Sequence, residues 1–373
     1  MKIFLASAFF SMTTLLSQST AATAASSETA SASPGWKQLA PLPDPVGWAG
    51  MFAGVLDGRL IAGGGSQFPE KPIWLQGTKA FNGRLYALAE PAGKWEVLEA
   101  QLPEKIGNAA SAATADGIYL VGGIAADGCR ATAWVLRSKN GALVAEPLPS
   151  LPRPLGYAVA AVVGRRLVVA GGQHNLIDKA ATAETWSLDL AAQFEGWTRE
   201  ADLPGPGIFV PCAATDAGGV FVFGGMAFSG DGKLAPSRAA YRFDVARRSW
   251  ERLPDLPEPR VAAASPCARL QDGRFLVIGG YAEVFAGALR EHPGFSTQTL
   301  TYDPATRQWA SGPVLPRAPI GNRDATTDAG PTPMVAAPCV VWRGLAVVVS
   351  GEIRGATRTP VVVAWPLANQ PIR

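Results

Sequence analysis

A short apolar strand running into a glycine doublet recurs along this chain: Ile61-Ala62-Gly63-Gly64-Gly65, Tyr119-Leu120-Val121-Gly122-Gly123, Val168-Val169-Ala170-Gly171-Gly172, Phe221-Val222-Phe223-Gly224-Gly225, Leu276-Val277-Ile278-Gly279-Gly280 and Val347-Val348-Val349-Ser350-Gly351. Taken from the first doublet position, the copies are spaced by 58, 49, 53, 55 and 71 residues. That spacing brackets a repeat period of about 50 residues, which belongs to radial β architectures. A unit of this kind cannot bury both faces of its own sheet, so six copies imply one closed ring of six blades.

Each repeat reads as strand, turn, strand ending in the doublet, loop, third strand, turn, and a fourth strand carrying tryptophan. In the fourth copy the pieces are Cys212–Thr215, the turn at Asp216-Ala217-Gly218-Gly219, the apolar run to Phe223, then Tyr241-Arg242-Phe243-Asp244 and Ser249-Trp250-Glu251-Arg252-Leu253. Four short antiparallel strands make a propeller blade, so the predicted fold is an all-β, six-bladed kelch-type β-propeller. Glycine is expected at the doublet because the inner strands converge there and because the chain leaves the strand at dihedrals that a Cβ disfavours. Trp95, Trp197, Trp250 and Trp309 mark fourth strands, where each ring buries a large flat surface between blades. The sixth repeat ends after a third strand at residues 361–365, whereas Gly35-Trp36-Lys37-Gln38-Leu39 is a fourth strand without a blade. Joining the two closes the ring.

Composition supports this organisation. The 373 residues include 41 Gly, 31 Pro and 11 Trp, which suits a chain that turns often between strands. Lys2 before the apolar run at residues 3–16, with Ala22-Thr23-Ala24 behind it, has the form of a secretory signal. Residues 1–24 are therefore read as a signal peptide, 25–33 as a flexible linker and 34–373 as one propeller, periplasmic or secreted. No other segment approaches the roughly 20 apolar residues of a membrane span. The net charge of +3, from scattered Lys and Arg, argues against nucleic acid or an anionic membrane as partner. Cys212, Cys267 and Cys339 each follow a proline, 11 or 12 residues before their doublet. They read as one equivalent position in three blades, usually too far apart for a disulfide and favoured as small buried thiols, with some bridging as the alternative. Cys129 falls in a predicted loop with no obvious mate.

The loops just beyond the doublets reach one mouth of the central channel. Ser66-Gln67-Phe68, Gln173-His174-Asn175 and Tyr281-Ala282-Glu283 lie there, and Glu352 is the charge placed nearest the axis. A carboxylate beside apolar strands is partly desolvated and suited to proton transfer. Arg358 lies six residues on; a turn at Gly355 would bring the two side chains to one pocket, where a guanidinium can clamp a carboxylate. A structural Glu352–Arg358 pair across the hairpin satisfies the same spacing.

The stretch Ser350-Gly351-Glu352-Ile353-Arg354-Gly355-Ala356-Thr357-Arg358-Thr359 resembles the catalytic segment of bacterial N-acetylneuraminate epimerases, the sialic acid mutarotases built on a kelch propeller. Gly47-Trp48-Ala49-Gly50-Met51-Phe52-Ala53-Gly54-Val55, with Ala62-Gly63-Gly64-Gly65-Ser66-Gln67-Phe68-Pro69 behind it, is a second likeness, and Gly171-Gly172-Gln173-His174-Asn175 a weaker third. In better-known members the Gly-Glu segment precedes the Ala-Gly-x-Phe-Ala-Gly segment. Here it comes last, so the sequence is similar to the cyclically permuted branch; shifting the chain break by whole blades leaves a closed ring intact. The resemblance implies Glu352 as proton acceptor, Arg358 as its substrate-binding partner, Gln67, Phe68, His174 and Asn175 as further substrate contacts, a small acidic sugar as substrate, and neither cofactor nor metal. Relatives carry an arginine where this chain has Gly207-Ile208-Phe209, which opens the choice of acidic sugar. The insertion at 321–330 reads as a lid or a plain surface loop, and Arg323 within it is a candidate replacement guanidinium.

The competing readings differ in class. Copper chemistry of the galactose oxidase kind needs clustered imidazoles and tyrosinates, whereas the only histidines, His174 and His292, fall in different repeats. His292 is expected to face solvent. A non-catalytic propeller binding glycan or protein predicts an exposed aromatic patch, with Phe68, Trp74, Phe228 and Phe285 as its candidates.

Overall fold

The computed structural model describes residues 35–316 and 335–367. The signal and linker readings, and the insertion with Arg323, lie outside the described residues.

Six blade sheets form the fold, five of four strands and one with a short fifth, together with two two-stranded ribbons among the described residues. Blade one comprises Ala49–Leu56, Arg59–Gln67, Arg84–Leu88 and Trp95–Gln101. Blade four follows the expected order through Cys212–Thr215, Gly219–Phe223, Ala240–Asp244 and Ser249–Arg252. Blade six is assembled from both ends of the described chain: Cys339–Trp342, Leu345–Arg354 and Thr357–Pro366 are joined by Lys37–Leu39 as outer strand. Lys37 pairs with Ala364 and Leu39 with Val362. Trp36 packs tilted against Trp365 with ring centres 5.2 Å apart, and Leu42 N–H donates to Pro360 O.

The tryptophan marker has a polar function besides burial. The indole N–H groups of Trp95, Trp197, Trp250 and Trp309 donate to the carbonyls of Ala40, Pro149, Ala201 and Pro254, each just beyond the outer strand of the preceding blade. One side chain thus fills the seam and satisfies the connection across it.

At every first doublet position φ is positive: 66°, 63°, 69°, 64° and 68° at the glycines and 53° at Ser350. A Cβ on Gly224 would stand 2.1 Å from the carbonyl oxygen of Arg260 in the next blade, which explains the glycine there.

A belt around the axis was not anticipated. Asn108 N–H donates to Gly50 O, Tyr157 to Asn108, Val210 to Tyr157, Ala262 to Val210, Ala336 to Ala262 and Gly50 to Ala336, at 2.6–3.2 Å. The six hydrogen bonds form a closed circuit. All six residues are left-handed, with φ from 47° to 69°, although five are not glycine. That conformation costs roughly 1–2 kcal/mol per residue, which the circuit of bonds, worth about 1 kcal/mol each, offsets in part.

The cysteine register needs correction. Cys212 pairs with Phe223, the residue before its doublet, whereas Cys339 pairs with Val348, one step earlier. Pairing of Ala268 with Leu276 places Cys267 in the same register as Cys339. Because side chains alternate across a strand, this single offset turns Cys212 toward blade five (Ala268–Arg269, Phe275–Val277, Leu300–Asp303 and Gln308–Ser311), and its Sγ lies 3.5 Å from that of Cys267. The three thiols are buried and free; Cys129, which ends the short strand Gly128–Cys129, is free and partly exposed.

Candidate functional site

Each residue just beyond a doublet is tied by backbone pairing to the residue preceding the belt. Ser66 pairs with Ala49, Ile124 with Gly107, Gln173 with Gly156, Met226 with Phe209, Tyr281 with Val261 and Glu352 with Val335. Six side chains are thereby fixed around one mouth of the channel. Ile124 and Met226 turn into the core, while Ser66, Gln173, Tyr281 and Glu352 line a cavity of about 830 Å³. That size falls within the range of small-molecule sites.

Blade six supplies the charge. Its second and third strands close on Gly355-Ala356, with Arg354 opposite Thr357 and Glu352 opposite Arg358. A register shift between Glu352 and Arg354 marks an irregularity at the strand end, beside the point where the acidic side chain leaves the ladder. Arg358 Nη1 stands 3.0 Å from Glu352 Oε1, and their side chains are 4% and 19% exposed. Arg358 Nε donates to Ser66 O at 3.2 Å, and the guanidinium lies 4.9 Å over the Phe68 ring. Arg358 is therefore held from three sides, while Glu352 keeps its accessible edge toward the cavity. Both readings of the hairpin hold together: the residues pair, and they do so in the cavity wall.

Two tyrosines and a lysine complete this wall. Burial, then the negative charge of Glu352, pushes the Tyr281 phenol up to about 12. The same two causes raise Tyr157. Both phenols are neutral donors at ordinary pH. Lys79 lines the same cavity, 6.0 Å from the centre of the Phe68 ring. Desolvation pushes its ammonium down, Arg358 adds to this, and Glu352 opposes it. The far side is aromatic: Phe209 packs against Tyr157 at 6.1 Å and stacks on Phe228 at 5.4 Å, while Tyr281 stacks on Phe295 at 5.6 Å.

The other sequence-derived site residues separate. Phe68 is buried beneath Arg358 and acts as its platform. Gln67, adjacent in a strand, points to the opposite face, into a smaller cavity with Asp44, Asn82 and Arg84. His174 Nδ1 lies 2.8 Å from Pro154 O, with Nε2 3.5 Å from Glu184, tying blade three to its predecessor. Asn175 accepts from the N–H groups of Ile177 and Asp178, building its own turn. Neither His174 nor Asn175 lines the main cavity. His292 does line it but is buried, not solvent-facing: its ring packs 4.8 Å from Phe285 and 4.7 Å from Phe295 and accepts from Gly294 N–H. Desolvation lowers its pKa, with Arg354 contributing.

Lys79 and Tyr157 escaped the sequence reading. The loop carrying Lys79 has no repeat marker, and Tyr157 hides in a belt position occupied elsewhere by Gly, Asn, Val and Ala. Tyr281, by contrast, was legible as the residue following its doublet.

A scan against protein-family models found none that matches the chain. Among curated proteins, it is 26% identical over 239 residues to an N-acetylneuraminate epimerase of Haemophilus influenzae (strain PittEE), covering 58% of each chain. An N-acetylneuraminate epimerase of Yersinia enterocolitica is 25% identical over 246 residues, 58% of this chain and 57% of the relative. The N-acetylneuraminate epimerase 1 of Escherichia coli O6:H1 is 24% identical over 195 residues, 45% of this chain and 50% of the relative. The chain thus spans about half the length of the curated relatives it matches, and the likeness is a distant one.

Proposed function

We propose that this protein is an isomerase that interconverts the α and β anomers of free N-acetylneuraminate, with Glu352 as general base and without a cofactor. The observation that carries the reading is a carboxylate ion-paired to a buried arginine in the wall of an 830 Å³ cavity that also presents two neutral tyrosines. The names of the distant relatives supply the substrate.

The chemistry follows from the positions. Glu352 takes the proton from the anomeric hydroxyl as the bond between C2 and the ring oxygen O6 breaks, giving the open-chain ketone. O6 receives a proton from a neutral tyrosine or from water. Rotation about the C2–C3 bond presents the other carbonyl face, O6 closes on it, and the proton transfers reverse. No electron is transferred and no group leaves. General acid–base assistance of this kind is worth about 10² to 10⁴ in rate. Arg358, fixed by Ser66 and Phe68, holds the carboxylate of Glu352 in place and adds positive charge for an acidic sugar.

The kelch-type, cyclically permuted reading is consistent with linear matches that cover only about half of each chain. The N-terminal segment supports export to the periplasm or beyond. A second reading, a mutarotase of another acidic sugar, draws on Phe209, an aromatic wall residue within the Gly207-Ile208-Phe209 segment where the resemblance implies an arginine. The non-catalytic reading loses its predicted surface: Phe68 is buried, Phe228 and Phe285 line the cavity, and Trp74 lies 5.6 Å from the Arg354 guanidinium.

Enzymatic release of α-N-acetylneuraminate from a glycoside, followed by proton NMR, tests the proposal. The protein is expected to speed conversion to the β anomer above the spontaneous rate. An unchanged rate rejects the sialic acid reading.

A further inference from the structure

We propose that Lys79, with Arg358, forms an anion subsite that selects sugars whose carboxylate is bonded directly to the anomeric carbon. The inference rests on the mutarotase reading for the orientation of the sugar.

Three observations converge. Lys79 and Arg358 lie against the same ring, Phe68, at 6.0 and 4.9 Å, so one buried aromatic orders two cations on one side of the cavity. Arg358 is committed to Glu352 and to Ser66 O, whereas among the described residues no carboxylate lies in ion-pair contact with Lys79. Lys79 thus brings a second cation to the cavity wall that holds Arg358 and Glu352, without an ion-pair partner of its own among the described residues. The depression of the Lys79 ammonium by burial and by Arg358 points the same way, since a bound anion would relieve it.

The position of the charge restricts the substrate. In a 2-keto sugar acid the carboxylate carbon is attached to the anomeric carbon, so an anion held by Lys79 delivers the anomeric hydroxyl to Glu352. In a hexuronic acid the carboxylate lies across the ring, and seating it at Lys79 carries the anomeric centre away from the base. Selection between these classes thus needs one ammonium group at the right corner, with no further contact to the sugar ring. The aromatic wall opposite, Phe209 and Phe228, is left for the apolar faces of the substrate.

Calorimetric titration with the methyl β-glycoside of N-acetylneuraminate, a closed ring that cannot mutarotate, tests this apart from catalysis. Its carboxyl methyl ester is titrated in parallel, against wild type, Lys79→Met and Lys79→Arg. Wild type is expected to bind the acid about 10- to 100-fold more tightly than the ester, the value of a hydrogen bond to a charged group. Lys79→Met should erase that preference and Lys79→Arg should keep most of it. Lys79 as a residue stays solvent-accessible even though the cavity wall partly desolvates its ammonium, so each variant should melt with wild type. An undiminished preference in Lys79→Met, or no binding of either glycoside by wild type, overturns the inference. If the preference holds while wild type fails to accelerate mutarotation, the anion subsite stands and the enzymatic reading falls.

Discussion

Blades four and six share one frame and differ at the doublet. In blade four, Gly224-Gly225 lets the neighbouring backbone come so close that Gly225 N–H donates to Arg260 O at 2.7 Å. In blade six a serine stands in the first position, in the same left-handed conformation and fully buried. Its hydroxyl donates to Thr359 O at 2.7 Å and accepts from Trp48 N–H at 2.8 Å. A side chain there takes over the clasp between neighbouring blades that backbone provides in blade four. The residue following each doublet differs as sharply: Met226 is buried in the core, whereas Glu352 carries charge into the cavity. The frame is generic, and a charge enters the cavity where one blade departs from it.

That contrast can be broken in several places. The largest effect is expected from removing residues 35–42, because blade six alone borrows its outer strand from the other end of the chain. The deletion takes away the partner of Thr357–Pro366 and two buried side chains, Trp36 and Leu42. Each such loss costs about 2–5 kcal/mol, comparable together with the whole stability of a domain. Cooperative thermal unfolding should disappear; a truncated protein melting within a few degrees of wild type would show that the ring does not depend on this strand. Gly224→Ala comes next, at roughly 2–4 kcal/mol by denaturant unfolding, because its Cβ meets a carbonyl and its φ is left-handed. Ser350→Ala should cost about 1–3 kcal/mol, since it keeps the strained conformation and removes both hydroxyl bonds. A neutral Ser350→Ala would mean that the hydroxyl does not replace the backbone clasp.

The smallest effect is a pH dependence. The Tyr281 phenol ionises near 10 in the unfolded chain and near 12 in the folded one. Its neutral form is thus favoured by folding. Stability is unaffected by this group below pH 10 and falls as pH rises from 10 to about 12, where the unfolded chain binds fewer protons. A phenolate absorbance titration of wild type against Tyr281→Phe reads the difference; a transition near 10 would mean that Tyr281 is not desolvated beside Glu352.

How much of this was legible in the sequence depends on whether the constraint is written in residue type. The doublets, the tryptophans and the unpaired strand at Trp36 announce themselves because glycine conformation and aromatic bulk have few substitutes. The hairpin joining Glu352 to Arg358 followed from Gly355 and a short spacing. The belt was invisible because Asn108, Tyr157, Val210, Ala262 and Ala336 have no common chemistry; the closed circuit of hydrogen bonds, not the side chains, holds them left-handed. Cys212 was misplaced because a one-residue register difference does not show in the distance to a proline. His174 and Asn175 looked like site residues by position, but local carbonyl and amide partners claim both side chains. Gln67 was lost to strand alternation, which sends it to the opposite face from Ser66 and the cavity.

The central claim is that the departure in blade six is catalytic, and substitution of Glu352 tests it most directly. Glu352→Gln keeps the shape of the side chain and its room in the wall while removing the carboxylate. Wild type and variant, matched in melting temperature, are compared for the rate of α to β conversion of N-acetylneuraminate by proton NMR. The account predicts a fall of about 10²- to 10⁴-fold in the catalysed rate, toward the spontaneous one. A variant that remains as fast as wild type would contradict it, leaving Glu352 as no more than a structural partner of Arg358.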